Sequence, residues 1–284
     1  MINLVSAFAR GIEKDDNWDG SRLHTSDLGV SQSIEKQDDR KCIKQVWLRY
    51  HGYDRNPHSN GTRLMFEQGH ALEEKAVEGL INGLYKLDNG WYVMATQMNI
   101  SGGYDTLTGT LDILLSNGTD YLVIDVKTRR GNAFRYNNDI RQTEKMQVAG
   151  YIYALRNLGI PVNHGAILEV DREGQNFARE HHFIYDEKLE TEVEETIAYL
   201  QLVMEYDMPG TLIPKIKINK NKGANSVVAD NPWQCRYCDY RGVSCEGAIP
   251  PEFDDNLGRV VGHIREDEFD EKVEGISEYI GGLI

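Results

Sequence analysis

Cysteine, long apolar runs and positive charge are all scarce in this sequence, and each shortage excludes a class of protein. No apolar run approaches the roughly 20 residues that a membrane-crossing helix needs, so we expect no membrane partner. The first residues show no basic start and no small-residue cleavage site, and they predict no secretory signal. Only 4 cysteines occur in 284 residues, which excludes a disulfide-rich secreted domain. These shortages together predict a cytoplasmic location.

Positive charge is scarce overall but unevenly distributed. The chain has 31 Lys and Arg against 45 Asp and Glu, a net charge of −14, which argues against a uniformly basic surface for nucleic acids. Residues 251–284 hold ten acidic and three basic residues, and this acidic tail is expected to be a solvated surface or a contact for a protein partner. Cations are enriched over residues 121–156 and again in a late segment with Lys215, Lys217, Lys220 and Lys222. They predict either a groove for a nucleic-acid backbone or an ordinary solvated surface.

The order of periodic segments predicts an α/β protein. A helix over about residues 63–84 precedes three strand-like runs at 91–100, 108–117 and 121–129. A helix over about 140–158 and a strand over 164–171 follow. We divide the chain into an N-terminal helical segment (1–60) that contributes Cys42, a core (61–210), a basic loop with a cysteine cluster (211–250) and the acidic tail (251–284).

The sharpest motif is Asp112 followed by Asp125-Val126-Lys127. Residues i and i+2 of a strand face the same side, so Asp125 and Lys127 project together. Asp112 lies on the preceding strand of a predicted hairpin, where its carboxylate can lie beside that of Asp125. Neighbouring carboxylates repel unless a cation joins them, and oxygen ligands suit Mg²⁺ or Mn²⁺. The other interpretation is a pair of solvated acids with Lys127 as their ion-pair partner.

Two flanking helices carry further polar side chains. Glu73 lies on the helix before the predicted sheet, with His70 one turn earlier. Gln147 and Tyr151 lie one turn apart on the helix after it, so they share a face. An amide and a phenol placed in this way can bind phosphates or stack on a base. Each residue taken singly has an ordinary structural interpretation, but their order around one helix–sheet–helix unit favours a site.

The ordered run Gly69 to Glu73, Asp112, Asp125-Val126-Lys127 and Gln147 to Tyr151 resembles the RecB-like branch of the PD-(D/E)XK nuclease superfamily. The resemblance implies a restriction-endonuclease-like core, in which helices flank a central mixed sheet, and a Mg²⁺ or Mn²⁺ cofactor. It implies that Asp112, Asp125, Lys127 and Glu73 are catalytic and that Gln147 and Tyr151 bind the substrate. The implied metal ligands are Asp112, Asp125, the carbonyl of Val126, and Glu73 or His70. Many RecB-like enzymes have a histidine where this chain has Glu73, so both residues stay candidates.

Three of the four cysteines are grouped late in the chain: Cys235, Cys238 and Cys245. Cys42 is the one thiol left to complete a four-ligand site. Spacing alone does not separate zinc from an iron–sulfur cluster, and four unrelated buried thiols are a third interpretation. The arrangement resembles the CRISPR-associated iron–sulfur exonucleases and the AddB-type nuclease domain. That resemblance implies a structural [4Fe–4S] cluster in a subdomain that clamps the core.

These features lead us to expect a metal-dependent DNA nuclease that hydrolyses phosphodiester bonds. The resemblance implies exonuclease action on single strands or DNA ends, in recombination, repair, phage DNA metabolism or CRISPR adaptation. The alternative is a catalytically inactive DNA-binding or scaffold module with a nuclease-like fold and a structural zinc or iron–sulfur site.

Overall fold

The computed structural model describes residues 22–30, 40–102, 107–136, 139–174, 177–210, 215–221, 224–230, 233–236, 238–245 and 259–264. The chain divides into two compact units, the first drawn from Met1–Gly29 and His58–Gln201 and the second from Val30–Pro57 and Leu202–Ile284. Among the described residues, no helix is both long and apolar enough to cross a membrane.

Strands and helices follow one another in mixed order along the described chain. The strands are β1 (Leu23–His24), β2 (Tyr92–Gly102), β3 (Leu107–Ser116), β4 (Tyr121–Arg129), β5 (His164–Asp171), β6 (Ala178–Ile184), β7 (Lys215–Asn221), β8 (Ala224–Asp230) and β9 (Arg259–Ile264). The helices are α1 (Ile43–Tyr50), α2 (Asn60–Leu87), α3 (Gly131–Tyr136), α4 (Gln142–Asn157), α5 (Glu187–Glu205) and α6 (Trp233–Arg236). A 3-10 helix (Thr25–Gly29) follows β1 directly.

A six-stranded mixed sheet forms the centre of the first unit. Its order is β1-β3-β4-β5-β6, with β2 also paired to β3. The β4–β5 and β1–β3 pairs are parallel, and the other three pairs are antiparallel. The tight turn predicted between β3 and β4 is confirmed: Asn117 Oδ1 accepts hydrogen bonds from the backbone of Thr119 and Asp120, and Gly118 takes a φ of 93° that favours glycine.

Helices cover both faces of this sheet. On one face, α2 packs on an apolar cluster from three strands: Ile113, Leu115, Ile124, Val126 and Ala166. On the other face, α4 packs against the 3-10 helix and strands β3, β4 and β5. Side chains alternate along a strand, so β4 directs Ile124 and Val126 towards α2 and Asp125 and Lys127 towards α4. The predicted α/β fold with a mixed sheet flanked by helices is confirmed.

Strand β3 shares one of its edges between two partners. β4 pairs with residues 113–116 of β3, and β1 pairs with Leu107 and Thr108. Within the described part of the chain, residues 109–112 therefore have no strand on this shared edge, while residues 109–111 pair with β2 on the other. Backbone groups that leave a ladder need other partners. This gap between β1 and β4 is where the candidate site forms.

Hydrogen bonds connect distant parts of the chain within the second unit. Trp47 Nε1 donates to the carbonyl of Tyr206 at 3.1 Å. Asn56 Nδ2 donates to the carbonyl of Arg241 at 2.7 Å, and Ser244 Oγ donates to that of Asp54 at 2.6 Å. The segment that begins near Cys42 is thus joined to the segment that carries the other three cysteines.

The basic loop predicted within residues 211–250 is wrong as a loop where the structure describes residues 215–221 and 224–230. Residues 215–221 and 224–230 form the β7–β8 hairpin, and β9 adds a third antiparallel strand. Apolar and polar residues alternate in Lys-Ile-Lys-Ile, a pattern with the period of a strand. Strand β9 lies inside the predicted acidic tail, whose other residues are outside the described chain, as is Lys222.

Candidate active site

Asp112 lies at the edge of the gap between β1 and β4. Its Oδ2 accepts a hydrogen bond from the backbone N–H of Val126 at 2.7 Å, and its Oδ1 accepts one from Gln97 Nε2 at 3.1 Å. Regular β3–β4 pairing ends at Ile113 and Ile124. The Asp112 carboxylate therefore takes over from the ladder as the acceptor for Val126, and this role fixes its orientation.

Gln97 adopts a backbone conformation that is unusual inside a strand. Its φ is +48°, in the left-handed region that costs an L-residue roughly 1–2 kcal/mol. Strained residues of this kind cluster at functional sites, where the surrounding structure holds them in place. Here the strained residue directs its amide onto Asp112.

Asp125 and Lys127 form an ion pair on the face of β4 that points towards α4. Lys127 Nζ lies 2.7 Å from Asp125 Oδ2, and the Asp125 side chain is only 2% exposed. Burial raises the pKa of Asp125, Lys127 opposes that rise and Asp112 adds to it. Burial alone would lower the pKa of Lys127, but Asp125 and Asp112 together raise it above its ordinary value. The ammonium form of Lys127 is therefore strongly favoured.

Glu73 on α2 faces the same carboxylates. Burial raises the pKa of Glu73; Lys127 opposes the rise, whereas Asp112 and Asp125 add to it. His70 Nδ1 lies 3.6 Å from Glu73 Oε2, and the His70 side chain is 65% exposed. The structure thus brings Glu73 within electrostatic reach of Asp112, Asp125 and Lys127, with the more exposed His70 beside it.

Gln147 and Tyr151 continue the site as a chain of hydrogen bonds. Lys127 Nζ donates to Gln147 Oε1 at 3.3 Å, Gln147 Nε2 donates to the Tyr151 hydroxyl at 2.9 Å, and that hydroxyl donates to the Thr110 carbonyl at 2.8 Å. Thr110 pairs with β2 on one edge of β3 and has no described strand on the other, and Tyr151 supplies a hydrogen-bond donor for its carbonyl. The Tyr151 ring is 2% exposed and presents no face on which a base could stack.

Close packing against β3 holds Tyr151 in place. A Cβ atom at Gly109 would lie 2.6 Å from Thr25 Oγ1 and 3.0 Å from Tyr151 Cε1. Glycine at this position therefore lets the 3-10 helix and α4 approach β3 closely. The Thr25 hydroxyl also hydrogen-bonds Tyr151, whose pKa is raised chiefly by burial.

A buried ion-pair network lies beside Lys127 on the same face of the sheet. Glu169 of β5 is 2% exposed and pairs with Arg129 and Arg179, while Arg129 also pairs with Glu144 of α4. Burial would raise the pKa of Glu169, but the two arginines lower it below its ordinary value. Arg129, whose side chain is 11% exposed, therefore binds α4 to the sheet and does not line a groove as the basic-groove interpretation predicted.

Comparison with known proteins identifies the family of this site. The family model described as the PD-(D/E)XK nuclease superfamily matches residues 20–245. The chain belongs to the PD-(D/E)XK nuclease superfamily. The comparison with curated proteins found no match.

Several solved structures are similar to this PD-(D/E)XK chain at low identity. An alkaline exonuclease, LHK-Exo from Laribacter hongkongensis, is 14% identical with a TM-score of 0.42, over 66% of this chain and 92% of that one. SSO0001 is 14% identical with a TM-score of 0.43, over 86% and 98%. A phage-related exonuclease from Haemophilus somnus 129PT is 15% identical with a TM-score of 0.40, over 65% and 96%. The family assignment depends on the family match and not on these scores.

PD-(D/E)XK nucleases generally use Mg²⁺ or Mn²⁺, and the donor atoms here suit such an ion. Among the described residues, no three or more His, Cys, Asp or Glu side chains already have the arrangement of a metal site. The converging groups are carboxylate oxygens, which a hard cation prefers. Asp125 Oδ2 is also buried, and its close partner among the described residues is the Lys127 ammonium at 2.7 Å, which makes no hydrogen bond of regular geometry with it. A buried oxygen of this kind fits a position from which a cation is ligated.

All four cysteines of this nuclease-family chain belong to the second unit. Cys42 and Cys235 are buried, while Cys238 and Cys245 are partly buried. Burial raises the pKa of the Cys238 thiol to about 11, and the neighbouring Cys245 and Cys42 add to the rise. Cys238 therefore lies near both the late cysteine Cys245 and the distant Cys42, although their arrangement is not that of a formed metal site.

Sequence reasoning missed the residues that orient the side chains of this candidate site. Gln97, Thr25 and Thr110 carry no motif, and their roles arise from backbone conformation and from the split edge of β3. Glu169 gave a weak signal, because a charged residue in an otherwise apolar parallel strand needs a buried partner.

We expect Gln97→Gly to separate backbone strain from orientation of Asp112. Glycine adopts positive φ without strain, so this variant should be about 1 kcal/mol more stable than Gln97→Ala. Both variants lose the hydrogen bond to Asp112, and we expect each to cleave about tenfold more slowly than the wild type. Denaturant unfolding and single-turnover cleavage measure the two effects. Wild-type cleavage by both variants would show that Gln97 does not orient Asp112.

Proposed function

We propose that this chain is a metal-dependent deoxyribonuclease that hydrolyses phosphodiester bonds as an exonuclease, on single strands or DNA ends. The observation that carries the proposal is the convergence of Asp112, Asp125, Glu73 and Lys127 at the gap where β4 leaves β3. Three carboxylates with one lysine are costly to bring together in a fold unless they bind a cation and a phosphate.

The proposed metal ligands are Asp112, Asp125, the carbonyl of Val126, and Glu73 or His70. Bound Mg²⁺ or Mn²⁺ would activate a water molecule and neutralise charge on the scissile phosphate. Glu73 is the stronger candidate of the two on α2, because its carboxylate is partly buried near Asp112 and Asp125. His70 then supports Glu73 from the exposed side.

Lys127 has the properties of a charged donor to the phosphate. The raised pKa of its ammonium group favours the protonated form, so Lys127 offsets the charge that develops on the phosphate oxygens and orients the attacking water. Gln147 and Tyr151 are proposed to act on the substrate side of the site. They hold the Lys127 ammonium in place through the chain of hydrogen bonds that ends at the Thr110 carbonyl. Gln147 is the one of the two that lies next to the ammonium.

We propose further that Cys42, Cys235, Cys238 and Cys245 hold a structural [4Fe–4S] cluster, with zinc as the alternative. The support is the electrostatic proximity of Cys238 to Cys42 and Cys245, together with the hydrogen bonds that join their segments. Four thiolates suit either metal centre. The role proposed for this centre is structural.

The biological setting that fits such an enzyme is recombination, repair, phage DNA metabolism or CRISPR adaptation in the cytoplasm. A protein partner for the acidic tail, residues 251–284, is part of the same proposal, because ten acids against three basic residues favour a basic partner surface.

A cleavage assay on matched substrates tests the proposal. Anaerobically purified protein is incubated with 5′- or 3′-labelled linear single- and double-stranded DNA, with Mg²⁺, Mn²⁺ or a chelator. A circular single strand of the same composition is the control, since an exonuclease requires an end. We expect metal-dependent loss of the linear substrates and survival of the circle, and the position of the label that leaves first gives the polarity.

The same assay decides against the alternative class. DNA binding without cleavage under any metal condition would support an inactive DNA-binding or scaffold module. Cleavage that persists in the chelator would overturn the metal-dependent mechanism. An RNA of the same sequence shows whether the protein distinguishes deoxyribose from ribose.

A further inference from the structure

Arg172 directly follows β5 on the first unit, and its side chain is held from two sides. Its backbone N–H donates to the carbonyl of Arg129 at 2.8 Å. Its side-chain Nε donates to the hydroxyl of Thr128 at 3.0 Å. Thr128 is buried, so it anchors the Nε end of the guanidinium in a fixed position. Arg172 as a whole is exposed.

The far end of this guanidinium has no acceptor among the described residues. A guanidinium has five N–H donors, and the Nε–H bond to Thr128 uses one of them. Other arginines of this unit are paired with carboxylates: Arg129 with Glu144 and Glu169, Arg179 with Glu169, and Arg156 with Glu190. Arg172 is thus an oriented cation whose terminal donors are available to a ligand.

The guanidinium lies about one turn of α2 from Glu73, one of the proposed metal ligands. Its Nη2 is 3.5 Å from where a Cβ of Gly69 would be, so it rests against α2 where that helix has no side chain. Gly69 precedes Glu73 by four residues, which is about 6 Å along the helix axis. A cation beside a carboxylate-rich cleft is placed to bind an anion that enters it.

We propose that Arg172 binds a phosphate of the substrate strand next to the scissile one, with Thr128 as the residue that orients it. This inference rests on the proposed nuclease function. A guanidinium with one edge anchored and its terminal donors available matches the bidentate geometry of a phosphate diester. Gly69 provides the clearance for that contact, and a large side chain there would cover the guanidinium.

The test compares Arg172→Ala with Arg172→Lys and with Lys86→Ala. Lys86 lies in the last turn of α2, about 20 Å from Glu73 by the helical rise. Its replacement by alanine removes one positive charge, as Arg172→Ala does. We measure kcat and KM on single-stranded DNA over a range of KCl concentrations. We expect Arg172→Ala to raise KM about tenfold with kcat within twofold of wild type, and to reduce the slope of log(kcat/KM) against log[KCl] by about 0.7.

The conservative variant separates charge from geometry. Arg172→Lys should recover the wild-type salt slope but keep a KM severalfold above wild type, because an ammonium is a point charge without the fork of a guanidinium. Lys86→Ala should change neither quantity. An Arg172→Ala enzyme with wild-type KM and salt slope would overturn the inference, as would an equal effect in Lys86→Ala.

A binding measurement keeps this inference distinguishable from the proposed function. Fluorescence anisotropy of a labelled single strand with the Asp125→Asn protein, with and without Arg172→Ala, reports phosphate contact in the absence of cleavage. Weaker binding with a smaller salt slope supports the contact. If the wild type cleaves DNA but Arg172→Ala leaves binding by the Asp125→Asn protein unchanged, the Arg172 inference alone is overturned. A wild type that neither cleaves nor binds DNA overturns both.

Discussion

Changing Asp125 to asparagine is expected to lower the metal-dependent cleavage rate by about 1000-fold or more, with the fold intact. Asparagine keeps the shape of the side chain and removes the charge that a divalent cation needs. Asp125 is 2% exposed and lies next to both Lys127 and the second carboxylate, Asp112. No described residue is placed to replace it, because β4 directs only alternate residues into the gap.

Single-turnover cleavage with saturating Mn²⁺ measures this effect. Glu180→Gln is the matched control: Glu180 lies on strand β6, its side chain is 73% exposed and it pairs only with His182 among the described residues. Its register partner Leu168 packs on the α2 side of the sheet, so the control removes a carboxylate from the opposite face. We expect wild-type cleavage from the control. An Asp125→Asn protein that cleaves within tenfold of wild type would show that Asp125 does not ligate the catalytic ion.

The central part of the site was predictable because it depends on local rules. The two-residue periodicity of a strand places Asp125 and Lys127 on one face, and the turn at Asn117 and Gly118 returns β4 beside β3. The position of Glu73 on the helix before the sheet was also predicted, and its proposed role came from the resemblance of the Gly69 to Glu73 run. These relations involve residues close in sequence, for which patterning is informative.

The rest of the candidate site depends on pairing between distant strands, which sequence patterns do not specify. The split edge of β3 requires the distant strand β1 to pair with Leu107 and Thr108. In the stretch of β3 between the two partners, Asp112 accepts a hydrogen bond from the Val126 N–H, and Tyr151 donates one to the Thr110 carbonyl. The positive φ of Gln97 likewise has no signature in the amino-acid sequence around it.

Composition also misled where periodicity was informative. Lysines and asparagines over residues 215–222 suggested a solvated loop, yet the alternation of lysine and isoleucine there has the two-residue period of a strand, and β7 forms. Counting Arg129 as a groove cation was a related error. Its partners Glu144 and Glu169 are distant in sequence, and net charge over a window does not reveal such pairing.

Replacing Cys235 by alanine is expected to remove the proposed cluster and with it the folding of the second unit. Cys235 is buried, and its neighbour Cys238 lies near Cys42 and Cys245. Ligand binding energy in structural metal sites is folding energy, on the order of 10 kcal/mol for zinc sites. Loss of one thiolate from four should therefore cost several kcal/mol, far more than the cavity left by a thiol.

Ser244→Ala provides the control for local packing around the thiols. Ser244 is next to Cys245 and donates to the Asp54 carbonyl, so its loss perturbs the same segment without removing a thiolate. Anaerobic purification, a visible spectrum, and iron, sulfide and zinc analysis are compared across the wild type and both variants. We expect a brown wild type and Ser244→Ala protein, and a colourless Cys235→Ala protein whose lowest-temperature unfolding transition is lost or shifted well below that of the wild type.

The metal content then decides between the two centres for a physical reason. A [4Fe–4S] cluster gives about four iron and four sulfide per chain and absorbs visible light, whereas zinc is colourless and gives about one ion per chain. One zinc per chain that Cys235→Ala loses would retain the four-thiolate site and exclude the cluster. Equal stability and no metal in all three proteins would mean that the cysteines are separate thiols, and that hydrogen bonds such as those from Asn56 and Ser244 join the two segments without a metal.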